Sequence, residues 1–135
     1  MKNRSEIREI IMKILYQISI YEETDLKYDL EEMKKEQLEV ENDFLNESIE
    51  GILKNKKELD KLANKYLKDW TIDRLNKVDK AILELGIYEL MYTDTPSVVS
   101  INEAIELSKK YSEEAVTKMI NGVLDKIYHE EVKTD

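Results

Sequence analysis

Enzymatic chemistry needs nucleophiles, acid–base groups or metal ligands at fixed spacings, and this chain of 135 residues offers few. It has one histidine, His129, near its C-terminus, and no cysteine. A zinc site therefore lacks its usual Cys and His donors. No Ser-His-Asp set forms around a single histidine at a frayed helix end. Three isolated glycines cannot build a phosphate loop, and the Glu-x-x-His motif of di-iron bundles is absent. Carboxylate pairs such as Glu103 with Glu106 arise by chance among 30 acids, so they carry no glycosidase reading. The residues predict no catalytic centre, no metal site, no cofactor and no enzyme. Binding remains. Lys2, Arg4, Arg8 and Lys13 give the N-terminus a basic start. Arg4 and Arg8, four apart, are expected on one helical face away from Ile7 and Ile11. Two guanidiniums so placed can grip phosphate oxygens. Lys54, Lys56 and Lys57 suit the negative end of a helix dipole.

These groups have to be positioned by helices. Only three glycines and one proline punctuate the chain, which predicts long helices with short connections. A first helix over residues 5–21 has Ile7, Ile11, Ile14 and Ile18 as its inner stripe. A weaker helix is expected from Thr24-Asp25, and a third from about residue 41. A fourth, from residue 57, turns Leu59, Leu62, Ala63 and Trp70 inward. Thr71 is the expected N-cap of a fifth, which reaches about residue 92. That helix is apolar nearly all round between Ala81 and Tyr92, so it is expected at the centre, with Glu89 needing a hydrogen-bond partner. Thr93 to Pro96 is the one clear loop. Ser100 and Glu103 read as a capping box opening a helix over 100–111, and a last helix covers 112–128. Within it, Gly122 is expected to admit another backbone at close range. The class is all-α, about seven helices in one domain over 1–135.

The formal net charge is −9. Residues 22–50 hold twelve acids and three bases, so that segment carries the whole imbalance. It reads as a solvated acidic face or a surface for a basic partner. The absence of cysteine fits a reducing cytosol. No apolar run approaches the roughly 18 residues of a membrane span, and the N-terminus lacks a signal-peptide core. A cytoplasmic location without membrane association is expected.

Several strings occur in a fixed order: Leu15-Tyr16-Gln17, Trp70-Thr71-Ile72-Asp73-Arg74-Leu75, Val78-Asp79-Lys80-Ala81-Ile82-Leu83, Tyr88-Glu89-Leu90, Asn102-Glu103-Ala104-Ile105-Glu106-Leu107 and Asn121-Gly122-Val123-Leu124-Asp125. Together they resemble the NusB family of bacterial transcription antitermination factors, over most of the chain. The resemblance implies two packed helical bundles and a non-enzymatic RNA-binding protein. It implies pairing with NusE, a protein of the small ribosomal subunit. The pair would bind the boxA element of ribosomal RNA operon transcripts and help the RNA polymerase elongation complex pass terminators. Lys2, Arg4 and Arg8 match the family's basic N-terminal arm, and Lys118 and Met119 a second RNA-facing stretch. Tyr16 and Asp79 match positions at the NusE surface. Glu84 stands where a basic residue is common, which would reduce positive potential. The rival reading is an all-helical protein–protein scaffold that binds no RNA. A third is the NusB-like domain that precedes a ribosomal RNA cytosine methyltransferase.

Overall fold

The computed structural model describes residues 2–132, and all its regular elements are helical. In order they are α1 (Arg4–Glu23), α2 (Leu30–Gln37), α3 (Asp43–Lys54), α4 (Lys56–Tyr66), α5 (Lys77–Tyr92), α6 (Ser97–Tyr111) and α7 (Glu114–Glu130). A 3-10 turn, Ile72–Arg74, precedes α5. Among the described residues there is no strand.

Helix α5 is the hub. Every residue from Ala81 to Leu90 is buried, and α5 packs against α1, α3, α4, α6 and α7. Its all-round apolar surface is the cause, because each side meets a different neighbour. Helices α1 to α3 form one bundle and α4 to α7 the other, with α1 against α5 joining them. The α1 stripe of Ile7, Ile11, Ile14 and Ile18 is fully buried. Gly86 lets α6 and α7 pack closely here: a Cβ on it would lie 3.0 Å from a Leu124 methyl and 3.4 Å from Ala104 Cβ. Gly51 faces the Tyr88 ring, which a Cβ would approach to 2.4 Å.

The expected helix boundaries differ from the structure at several points. Helix α6 begins at Ser97, behind Pro96 at φ −55°, because proline fixes a turn that leads directly into helix. Ser100 therefore lies inside the helix, buried, and forms no capping box. Thr24 closes α1, its hydroxyl donating to the carbonyl of Ile20 at 2.9 Å. Asp25 then turns the chain in the left-handed region at φ 56°, and Asp29 caps α2. Thr71 heads only the 3-10 turn, whereas Asn76 caps α5 by accepting from the Asp79 N–H at 2.8 Å. Trp70 is 50% exposed, since α4 has already ended at Tyr66. Among the described residues no helix is long and apolar enough to cross a membrane.

Candidate nucleic-acid interface

The basic N-terminus divides in two. Asn3 caps α1 in a capping box with Glu6, which directs Lys2 and Arg4 outward. Lys2 lies 3.8 Å from Glu6. The Arg4 guanidinium sits 4.5 Å above the Phe44 ring, a cation–π contact at the surface. Arg8 behaves differently, and its expected place on the free face is overturned. It is 3% exposed. Its Nε and Nη2 donate to the two Glu89 oxygens at 2.7 and 2.8 Å, and its Nη1 lies 3.4 Å from Glu103. The Ser5 hydroxyl donates to the same Glu103 oxygen at 2.6 Å. Arg8 thus answers the need of Glu89 for a partner and ties α1 to α5 and α6. Its donors are spent on Glu89 and Glu103.

What replaces Arg8 at the surface comes from further along α1 and from two other helices. Lys13, one turn beyond Glu9, is exposed on α1. The last turn of α6 brings exposed Lys109, Lys110 and Tyr111 beside it: Glu9 joins Lys110 at 2.8 Å and faces Lys13 at 3.7 Å. Across a groove of about 390 Å3, lined by Ser112, Thr117 and Asn121, Lys109 of α6 faces Lys118 of α7. The result is a band of Lys13, Lys110, Lys109 and Lys118. Met119, next along α7, is half-buried against the core. In sequence Lys109 and Lys110 are only the end of a helix, and no local signal places them near residues 9–13. The acidic segment 22–50 folds as the end of α1, α2 and most of α3, so the lysine band is separate from it in sequence.

Gly122 corrects another expectation. Nothing lies within 4 Å of a Cβ built on it, so no helix packs there. A glycine in an exposed helix interior costs about 1 kcal/mol relative to alanine. Gly122→Ala is therefore expected to stabilise the protein by up to about 1 kcal/mol, read as a rise in Tm. A fall in Tm would show an unseen close contact.

The two residues matched to the partner surface also separate. Tyr16 is 38% exposed on α1. Asp79 is buried, and the Ser112 hydroxyl donates to its Oδ1. Burial raises its pKa, the Ser112 bond opposes that rise, and Glu113 adds to it. The assignment of Asp79 to a free surface is thus corrected: its carboxyl group fastens the start of α5 to the α6–α7 connection. Glu84, too, is not a surface charge. It is 3% exposed, because its position on α5 faces α4 and not solvent, and burial and Asp60 push its carboxyl up to about 9.

A model of the NusB family matches residues 5–129. The chain belongs to the NusB family. The transcription antitermination protein NusB of Listeria innocua is 42% identical over 130 residues, which is 95% of this chain and 98% of that protein. That of Clostridium perfringens is 39% identical over 132 residues, 93% of this chain and 96% of that one. Among solved structures, T. maritima NusB superimposes with a TM-score of 0.83 at 35% identity, covering 98% of this chain and 94% of that one. A crystal structure of the antitermination factors NusB and NusE in complex with double-stranded RNA gives 0.79 at 25% identity, covering 93% and 96%. The NusB fold is thus shared from end to end, α5 hub included.

Proposed function

We propose that this chain is a transcription antitermination factor. With NusE it binds the boxA RNA of ribosomal RNA operon transcripts and helps the RNA polymerase elongation complex read through terminators in the cytoplasm. One observation carries this reading: 93% of the chain shares the fold of a NusB solved in complex with NusE and double-stranded RNA. The exposed lysine band supports it. Basic side chains neutralising phosphates supply most of the affinity for nucleic acid. With a net charge of −9, the chain alone binds RNA weakly, and a basic NusE shares the neutralisation.

The RNA-contacting set we propose is Lys2, Arg4, Lys13, Lys109, Lys110 and Lys118, with the outer edge of Met119. Arg8 leaves this set and supports it from within. Tyr16 serves the NusE side, where an aromatic body with a polar tip suits an interface. Asp79 supports that side only by holding the α6–α7 connection.

A titration of single-stranded boxA-type RNA, with and without NusE, tests the reading. Affinity should rise when NusE is added and fall with salt, with a slope of about −0.7 per phosphate contact. Lys118→Ala should flatten that slope by about the same amount while Tm stays unchanged. RNA binding absent in the presence of NusE would return the chain to the scaffold reading.

A further inference from the structure

The carboxylate of Glu9 gathers lysines from two helices, whereas the similar Lys65–Tyr66 pair on Glu131 brings one lysine. Lys110 Nζ lies 2.8 Å from each of its oxygens. The Tyr111 hydroxyl donates to Oε2 at 2.5 Å, and Lys13 Nζ stands 3.7 Å from the same oxygen. Three donors from two helices, two of them cationic, converge on one point of the surface. Tyr111 is further held by the Lys110 ammonium, 5.5 Å from its ring centroid. Such a cluster is the donor set that recognises an anion with two or more oxygens sharing charge. Here the anion belongs to the protein. Glu9 is held below the usual carboxylate range, by the Lys110 bond first and the Tyr111 bond second, so it is ionised and fills the place.

We infer that Lys13, Lys110 and Tyr111 form a phosphate-binding site for the RNA backbone, masked in the free protein by Glu9. The inference rests on the RNA-binding reading above. A phosphodiester and a carboxylate both present two oxygens that share one negative charge, so the same donors serve either. Entry of the phosphate turns Glu9 out to solvent. Two lysines and a phenol then face the ligand without an opposing charge. Until then Glu9 keeps the three donors gathered and lowers the attraction for anions in general. The flanking pairs differ. Lys109 with Glu106, at 3.4 Å, and Lys118 with Glu114, at 3.8 Å, each join a lysine to one carboxylate on its own helix, with both side chains well exposed. Of these three glutamates, Glu9 alone collects donors from a second helix.

The test titrates single-stranded boxA-type RNA against the complex with NusE at fixed salt, for the parent, Glu9→Gln, Glu106→Gln, Lys110→Ala and the Glu9→Gln/Lys110→Ala double variant. Glu9→Gln should tighten binding on the order of three- to tenfold, the scale of one like charge lifted from contact distance near a surface. Glu106→Gln, which removes the same charge from the same face, should do clearly less. In the Lys110→Ala background the gain from Glu9→Gln should vanish. Equal gains from Glu9→Gln and Glu106→Gln would reduce the effect to overall charge and overturn the masked site. Unchanged or weaker binding by Glu9→Gln overturns it as well, leaving Glu9 as a strap between α1 and α6. If the parent complex binds no RNA although NusE still associates, the RNA-binding reading itself fails, and this inference with it.

Discussion

Arg8→Ala is expected to cost about 3–5 kcal/mol of stability, because it strands a buried carboxylate. Glu89 is 1% exposed, and the two Arg8 bonds at 2.7 and 2.8 Å are the side-chain partners of its oxygens. Domains of this size are stable by only about 5–15 kcal/mol in total. Tm should therefore drop by on the order of 10 °C or more. Arg8→Lys should recover little, since an ammonium cannot reproduce a planar, two-pronged contact. Removing both charges, as in Arg8→Met with Glu89→Leu, should recover a large share, because the cost lies in the unpaired charge and not in the loss of the pair. Thermal melts of the four proteins decide the matter. An Arg8→Ala variant that melts with the parent would return Arg8 to the surface and to the RNA.

The second large effect concerns Glu84. Its Oε2 and the Oδ1 of Asp60 are both buried and have no donor among the described groups. A proton on Glu84 supplies what both lack. Burial is the main reason that this carboxyl is pushed up to about 9 from its ordinary 4.5, Asp60 adds to the rise, and Lys56 and Lys80 oppose it. Lys80 is itself engaged by Asp73 at 3.1 Å. Between those two values the folded chain holds a proton that the unfolded chain has lost. The associated stability is fully present below about pH 4.5 and declines as pH rises toward about 9, at up to about 1.4 kcal/mol per pH unit. Glu84→Gln keeps the shape and donates an amide N–H to Asp60 at every pH. It should flatten the decline and raise stability at pH 8 by at least about 1 kcal/mol. Denaturant midpoints from pH 5 to 9 measure this. A Glu84→Gln profile parallel to the parent's would mean that no proton is held there.

These two sites mark where sequence reading ends. The spacing of Ile7, Ile11, Ile14 and Ile18 and the unbroken apolar stretch of α5 depend on helical period alone, and the structure agrees with both. The need of Glu89 for a partner was also legible, since a carboxylate on an all-apolar helix cannot stand alone. Its partner was not. Arg8 sits 81 residues away, and on a helical wheel it looks like a solvent residue. Only the closure of α1 over α5 and α6 buries it. Asp79 and Glu84 repeat the lesson in reverse, as charged residues drawn inside by helices that arrive from elsewhere in the chain.

The lysine band was hidden for a related reason. Lys13, Lys110 and Lys118 belong to three helices, and period-based reasoning relates residues within one helix only. Gly122 misled because an isolated glycine in an apolar series looks the same whether a neighbour packs on it or not. The order of short strings from Leu15 to Asp125 was enough by itself to settle the family and the all-helical class, since strings and periods are local. Which charges are spent inside and which face outward was decided by packing, because burial and ion pairing join residues that only the fold brings together.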